Sequence, residues 1–498
     1  MSDPKTLDRR EFIRKSGAYL ASTALAPPLF HGCSRTVIPK PPNLLIVFPD
    51  QMRAHAQGFM REDPVLTPTL DRFAEESLVF TEAVSNYPVC SPFRAMLMTG
   101  KYPHANGVLA NCNTNGTEHG YELKKDERCW SDILKDQGYD LGYIGKWHLD
   151  GPYKPYVECY NNGEDFAWNE WCPPDRRHGF GFWYAYGTYD RHMNPMYWDS
   201  DAGRHSAHWV EQWGPEHEAD QAIRYIRNEA GRYRDPARPF ALVVSMNPPH
   251  MPYDQLPGRY VELYAGKTLA DLCNRNNIPP AGTKWGDYYR RHIRHYLAMT
   301  TGVDEQFGRI LAALKEQELE ENTLVLFTSD HGNCLGIHDQ ISKNNHYEES
   351  MRIPFMLRWT GKIKPRRDDL LLSSPDIYPT LLDLMGFGRQ IPATVEGLSH
   401  AGIITSTGRS ERPRSQPYLW IPYGQPAWGR RGVRTLQHTL MLSRLPDGPD
   451  EAVLHDNRND RFQLENRAAK EPDVVRRLQD EELIPWLERT GDPWLENL

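Results

Sequence analysis

Four short apolar runs, each stopped by polar residues able to do chemistry, constrain this chain more than any other feature. Asn43-Leu44-Leu45-Ile46-Val47-Phe48 stops at Pro49-Asp50-Gln51, and Leu141-Gly142-Tyr143-Ile144-Gly145 runs into Lys146-Trp147-His148. Phe240-Ala241-Leu242-Val243-Val244-Ser245 leads to Asn247-Pro248-Pro249-His250, and Thr323-Leu324-Val325-Leu326-Phe327-Thr328 to Ser329-Asp330-His331-Gly332. Unbroken apolar runs of this length read as strands buried on both faces. Helical patterns lie between them. Leu70, Phe73, Ala74 and Ser77 share a face after Thr67-Pro68, and Leu297, Thr300, Asp304, Phe307, Ile310 and Leu311 mark a long helix. The alternation predicts an α/β fold with a large, mixed, mostly parallel sheet flanked by helices. Ligands bind such sheets beyond the carboxyl ends of the strands, where this chain gathers Asp, Lys and His.

Cys90-Ser91-Pro92-Phe93-Arg94 adds a reactive group. Pro92 suits a helix start and Gly100 a helix stop, which places Cys90 just before a helix N-terminus. Free backbone N–H groups and the helix dipole favour an anion there, and Arg94, one turn in, can fork onto an oxyanion. The combination predicts chemistry on a sulfate or phosphate ester.

At 498 residues the chain is long enough for two domains. Its formal net charge of −8 excludes the basic surplus of a nucleic-acid binder and makes any anion site a local one. No apolar run reaches transmembrane length. Residues 1–40 read as leader and linker. Asp8-Arg9-Arg10-Glu11-Phe12-Ile13-Arg14-Lys15 resembles the twin-arginine export motif, and a mildly apolar stretch and Pro-rich linker follow it. The twin-arginine translocase is the implied partner, with a periplasmic or extracellular destination. His31-Gly32-Cys33 is a poor lipobox that leaves a lipid anchor on Cys33 open. Eight cysteines without a C-x-x-C pair form neither a disulfide scaffold nor a zinc ribbon, though Cys112/Cys129 or Cys159/Cys172 can pair. Residues 41–415 form the catalytic α/β domain on this reading. Within it, residues 151–215 are rich in Tyr and Trp with no evident period and read as long loops, either simply packed or forming a stacking wall beside the site. Residues 416–498 read as a small antiparallel sheet and a helix.

These motifs, in this order, resemble the type I sulfatases of the alkaline phosphatase superfamily. Cys90-Ser91-Pro92-Phe93-Arg94 is similar to the C-x-P-x-R signature, with Phe93 in place of a usual small residue. Residues 138–148 are similar to the second signature, with Leu141 in place of a usual Ser or Thr. Asp330-His331-Gly332, Leu335-Gly336, His338, Lys343 and the run from Tyr347 to Pro354 match the third block. The resemblance implies an alkaline phosphatase-like fold and a sulfate-ester hydrolase acting on a sulfated small molecule or glycan. It implies that a formylglycine-generating enzyme oxidises Cys90 to formylglycine (3-oxoalanine), an aldehyde that hydrates to a diol. One diol oxygen attacks sulfur and the second hydroxyl lets sulfate leave by elimination. It implies Ca²⁺, with Mg²⁺ as the alternative, on Asp50, Gln51, Cys90, Asp330 and His331. Arg94 then holds formylglycine, Lys146 and Lys343 bind sulfate, His148 acts as base, and His250 contacts the ester oxygen. His338 is a candidate for a supporting or loop-stabilising place and His104 a weaker one on the substrate side. A phosphonate monoester or phosphodiester hydrolase of the same superfamily, and an inactive glycan-binding homologue, are the alternatives.

Overall fold

Every residue of β1 (Asn43–Pro49) is buried, and its side chains alternate between two cores. Leu45 and Val47 enter one apolar cluster, while Leu44, Ile46 and Phe48 enter the other. That alternation is what a strand covered by helices on both faces requires. The computed structural model describes residues 40–405 and 412–497, so the export motif and Cys33 lie outside the described residues.

The further strands of the main sheet are β2 (Leu78–Phe80), β3 (Asp140–Lys146), β4 (Phe182–Tyr186), β5 (Met196–Asp199), β6 (His208–Trp209), β7 (Phe240–Met246), β8 (Thr323–Thr328), β9 (Phe355–Arg358) and β10 (Arg366–Asp368). Their order is β10-β2-β9-β8-β1-β7-β3-β4-β5-β6. The centre, β8-β1-β7-β3-β4, is parallel, and antiparallel pairs join β9 to β8 and β5 to β4. Register sets Ile46 beside Val243 and Leu326, so the three strands end together and deliver their following loops to one rim. All four predicted strands are present.

Helix α1 (Pro68–Glu75) stops before Ser77, which turns back onto the Phe73 carbonyl. Helix α2 (Cys90–Thr99) is buried throughout and ends at Gly100, whose φ of 66° closes it in the left-handed region. Cys90 is its first residue rather than the residue before it, and Pro92 falls in the first turn, where a missing N–H costs nothing. Helix α3 (Gly214–Arg227) packs on α4 (Lys284–Glu316), the long predicted helix. Asp304 looks out of place on the apolar side of α4. Its carboxylate accepts the N–H groups of Thr69 (3.0 Å) and Leu70 (2.7 Å) and so caps α1.

Residues 151–215 are not loops alone. They carry β4, β5 and β6 and extend the sheet past β3. Their inner residues are Tyr and Trp, which pair across strands (Tyr184 stacks on Tyr197, ring centroids 4.7 Å apart) without giving a clean apolar–polar alternation. The cysteine pairings that the sequence leaves open do not form: Cys112, Cys129, Cys159 and Cys172 are free. Cys112 and Cys129 are packed in the core, and Cys159 Sγ meets Asn169 Nδ2 at 3.6 Å.

A second sheet, β11 (Ser415–Trp420), β12 (Gly429–Thr435), β13 (His438–Arg444) and β14 (Glu451–Asp456), is wholly antiparallel. Leu419 and Ile421 join Met96 of α2 in one apolar cluster. Arg434 of β12 forks onto Glu348 (2.6 and 2.9 Å), which braces the segment that carries Lys343. No helix among the described residues is long and apolar enough to cross a membrane.

Glu218 of α3 tests the packing around β4. It accepts the hydroxyls of Tyr197 (3.1 Å) and Tyr186 (3.2 Å), and its other oxygen has no partner. Burial pushes this carboxyl up from 4.5 to about 8, despite both hydroxyl donors. The folded chain therefore holds a proton that the unfolded chain has lost, and stability falls as pH rises through that window. Glu218→Gln is expected to flatten the thermal midpoint between pH of about 5 and 8 and to raise it at the upper end; a wild-type slope in the variant contradicts the assignment.

Candidate active site

The helix that begins at Cys90 aims its first turn at the rim where β1, β3, β7 and β8 end. Arg94 reaches all four strand ends. Its Nη1 donates to the Lys146 carbonyl (2.6 Å) and Ser245 Oγ (2.8 Å), and its Nη2 to Asp50 (3.0 Å) and Asp330 (3.2 Å). Both carboxylates are fully buried, so the guanidinium offsets a repulsion that water cannot screen.

Around Cys90 Sγ stand Lys343 Nζ at 3.1 Å, His331 Nε2 at 3.4 Å, Asp50 Oδ1 at 3.6 Å and Lys146 Nζ at 3.7 Å. Burial and Asp50 push the thiol up, but Lys146, Lys343 and His331 outweigh them and hold it well below its ordinary value. Burial also raises Asp50, and Lys146, Lys343, His250 and His331 together bring that carboxyl well below the usual range. Asp330 goes the other way, pushed up by burial and then by the Asp50 charge.

Backbone geometry is spent here too. Gln51 (φ 67°) and His148 (φ 54°) both hold the left-handed region, which costs a non-glycine residue about 1–2 kcal/mol. Each is pinned by a hydrogen bond to its carbonyl, from Tyr296 Oη (3.0 Å) for Gln51 and from Ser91 Oγ (2.8 Å) for His148. Gly145 (φ 93°) must be glycine: a Cβ there meets the Ser245 carbonyl at 2.1 Å.

Asp50, Cys90, Asp330 and His331 place one ligand atom each within 4.8 Å of the others. His331 Nδ1 lies 3.0 Å from the Gly332 carbonyl, which orients the ring so that Nε2 faces the cluster, 3.4 Å from Cys90 Sγ and 3.6 Å from Asp50. Gln51 lies alongside, its N–H on Asp330 (3.0 Å) and its Oε1 3.4 Å from Lys343 Nζ. Two buried carboxylates, one of them pushed up by burial and by the other, with an amide oxygen and an imidazole nitrogen, fit a divalent cation.

His148 is buried with both ring nitrogens unpartnered, which leaves them for a bound molecule. His250 lies at the rim, its Nδ1 2.7 Å from the Met251 carbonyl and 3.4 Å from Asp190. Two positioning residues escaped the sequence reading. Asn247 accepts Lys146 Nζ at 3.1 Å and donates to the Tyr189 carbonyl (2.9 Å) and to Asp190 (3.3 Å). Asn247 stood in the quoted strand-end motif and gave a signal, whereas Asp190 sits in the aromatic stretch without one. His338 is not brought to the centre. It pairs with Glu349 (3.2 Å) and stacks on Tyr347 (centroids 3.8 Å apart), which fits the loop-stabilising expectation. His104 is not brought there either, since it pairs with Asp492 at 3.2 Å.

Two family descriptions match the chain: Sulfatase over residues 42–387, and N-sulphoglucosamine sulphohydrolase, C-terminal, over residues 336–483. The chain belongs to the sulfatase family of the alkaline phosphatase superfamily, and so to the sulfuric ester hydrolases. It is 40% identical over 484 residues to an endo-4-O-sulfatase of Bacteroides thetaiotaomicron, covering 91% of this chain and 93% of that protein. A solved structure of the Bacteroides fragilis yidJ sulfatase superposes with a TM-score of 0.87 at 48% identity, over 91% of this chain and 97% of the other. A Bacteroides thetaiotaomicron structure, from work on the metabolism of multiple glycosaminoglycans, gives 0.84 at 38% identity, over 92% and 98%.

Arg94→Met leaves Asp50 and Asp330 buried without their shared cation. In chelated protein it is expected to cost about 3–5 kcal/mol in urea unfolding; a loss below about 1 kcal/mol contradicts the bridging role.

Proposed function

We propose that this sulfatase hydrolyses a sulfate ester of a glycosaminoglycan-type polymer, with O4 as the favoured position, through formylglycine at residue 90 and a calcium ion. The observation that carries the reading is the convergence of Lys146, Lys343, His331 and Asp50 on Cys90 Sγ, the set of groups a formylglycine at residue 90 would meet. The choice of polymer and position follows the 40%-identical endo-4-O-sulfatase and the glycosaminoglycan work behind the 0.84 structure.

The net reaction is R–O–SO3⁻ + H2O to R–OH, sulfate and a proton. Formylglycine supplies the nucleophilic oxygen, and calcium on Asp50, Gln51, Asp330 and His331 supplies the charge that offsets sulfate. The chain's own residues do the rest. Lys146, fully buried, and Lys343, 16% exposed at the rim, donate to sulfate oxygens from fixed positions. Burial lowers Lys146, and Asp50 at 2.8 Å raises it and favours the protonated ammonium. Arg94 keeps the two carboxylates apart and in register. His148, with both nitrogens open, takes a proton beside residue 90, and His250 gives one to the leaving oxygen. Asp190 and Asn247 orient His250 and Lys146. Export by the twin-arginine route, read from residues 8–15, brings the enzyme to extracellular glycans; the mass of the mature N-terminus tests it, and a chain still beginning at Met1 in the final compartment overturns it.

The test is sulfate release from a panel of O4-sulfated oligosaccharides, a sulfated monosaccharide and a phosphonate monoester, with chelation and calcium re-addition in the same assay. Sulfate release from the O4-sulfated sugars is expected, lost on chelation and restored by calcium. Lys343→Ala is expected to lower kcat/KM by about 10²–10³-fold. Preference for the phosphonate, full rate without metal, or near-normal kinetics in the variant contradicts the corresponding part.

A further inference from the structure

A cavity of about 670 Å³ opens within the aromatic stretch, and no residue given a catalytic or metal role above lines it. One wall comes from residues 157–160 and the other from Tyr189 and Arg191, with Trp209 of β6 alongside. The cavity stands at the carboxyl end of β4, the strand paired parallel with β3, so it shares the rim that carries Lys146. Tyr189 on its lining is joined to Lys146 through Asn247 by two hydrogen bonds (2.9 and 3.1 Å), while Trp209 on β6 stands three strands from β3, so the cavity runs outward from the reaction centre along the sheet rim.

Three observations say what it takes. First, Tyr160 and Trp209 line it with 57% and 54% of their surfaces exposed, a large commitment of aromatic area to water unless something stacks there. Second, Arg191 lies over the Tyr160 ring, 4.6 Å from its centroid, and makes no ion pair among the described residues. The other arginine, Arg204, is already forked onto Glu170 (2.7 Å twice), and Glu158 adds an acceptor on the lining. Third, the walls are tied rigidly to the reaction centre. Asn161, next to Tyr160, exchanges two 2.8 Å hydrogen bonds with Asp190, next to Arg191. Trp209 Nε1 donates to Tyr189 Oη (3.2 Å), and the Tyr189 carbonyl is held by Asn247, the partner of Lys146.

We infer that this cavity is a subsite for an acidic sugar flanking the sulfated one, with its ring stacked on Trp209 and its carboxylate on Arg191. Arg191 offers two parallel N–H donors to a carboxylate, and Glu158 can accept the sugar's hydroxyls. The inference rests on the glycan reading above. An uronate is the occupant this chemistry selects, because it joins a ring that can stack on an aromatic face to the carboxylate that Arg191 would pair.

Binding is tested apart from turnover. Mature enzyme is titrated with a desulfated uronate-containing tetrasaccharide and with its carboxyl-reduced form, by calorimetry. The tetrasaccharide is expected to bind wild type, about tenfold more weakly to Trp209→Ala and to Arg191→Ala. Carboxyl reduction is expected to weaken wild type equally and to leave Arg191→Ala unchanged. In turnover, Arg191→Ala is expected to lose the advantage of an O4-sulfated tetrasaccharide over the sulfated monosaccharide, with the monosaccharide rate within about twofold of wild type. Equal binding by wild type and both variants overturns the subsite, as does a fall in monosaccharide turnover by Arg191→Ala matching that for the tetrasaccharide. Absence of turnover on every sulfated sugar, with desulfated tetrasaccharide still bound through Arg191, overturns the sulfatase substrate reading and leaves the subsite standing.

Discussion

Arg94 is the interaction on which the site depends. A single buried guanidinium receives the ends of β1, β3, β7 and β8 through Asp50, the Lys146 carbonyl, Ser245 and Asp330. Four strand ends in a parallel sheet are separate pieces of chain, and each brings its own polar group into a buried space. An unpaired charge there costs several kcal/mol, so the cation and the carboxylates stand or fall together. The position of Arg94 one turn into α2 also fixes where that helix starts, and with it the place of residue 90.

The electrostatics follow from this arrangement. Two carboxylates share a small volume with Arg94, Lys146 and Lys343, and the helix N-terminus adds its own positive end. The result is an anion site on a chain whose overall charge is −8. A negatively charged ester is attracted only where these groups face it, and the aromatic cavity beyond β4 supplies a neighbouring place for the rest of a long substrate. The C-terminal sheet serves the same end, since its contacts to Glu348 and α2 hold the Lys343 segment against residue 90.

Much of this was legible because the central strands are buried on both faces. Such strands must be unbroken apolar runs, and the residues that stop them are the ones at the rim, so Asp50, Lys146, Asp330 and His331 announce themselves by position. The helix at Cys90 was legible from Pro92 and Gly100, although it starts at Cys90 rather than at Pro92. What was not legible depends on long-range pairing. β4 and β5 are built from Tyr and Trp that pack against one another, and large aromatics blur the two-residue alternation that marks a strand. Asp190 acts only because Asn161, 29 residues away, and His250, further still, come to it in the fold. His104, attractive beside Tyr102-Pro103, is taken by Asp492 at the far end of the chain.

The most direct measurement is a peptide map of catalytically active enzyme across residue 90. The account predicts an aldehyde at that position, captured by a hydrazide probe, in proportion to the active fraction. An intact Cys90 thiol in fully active material contradicts it.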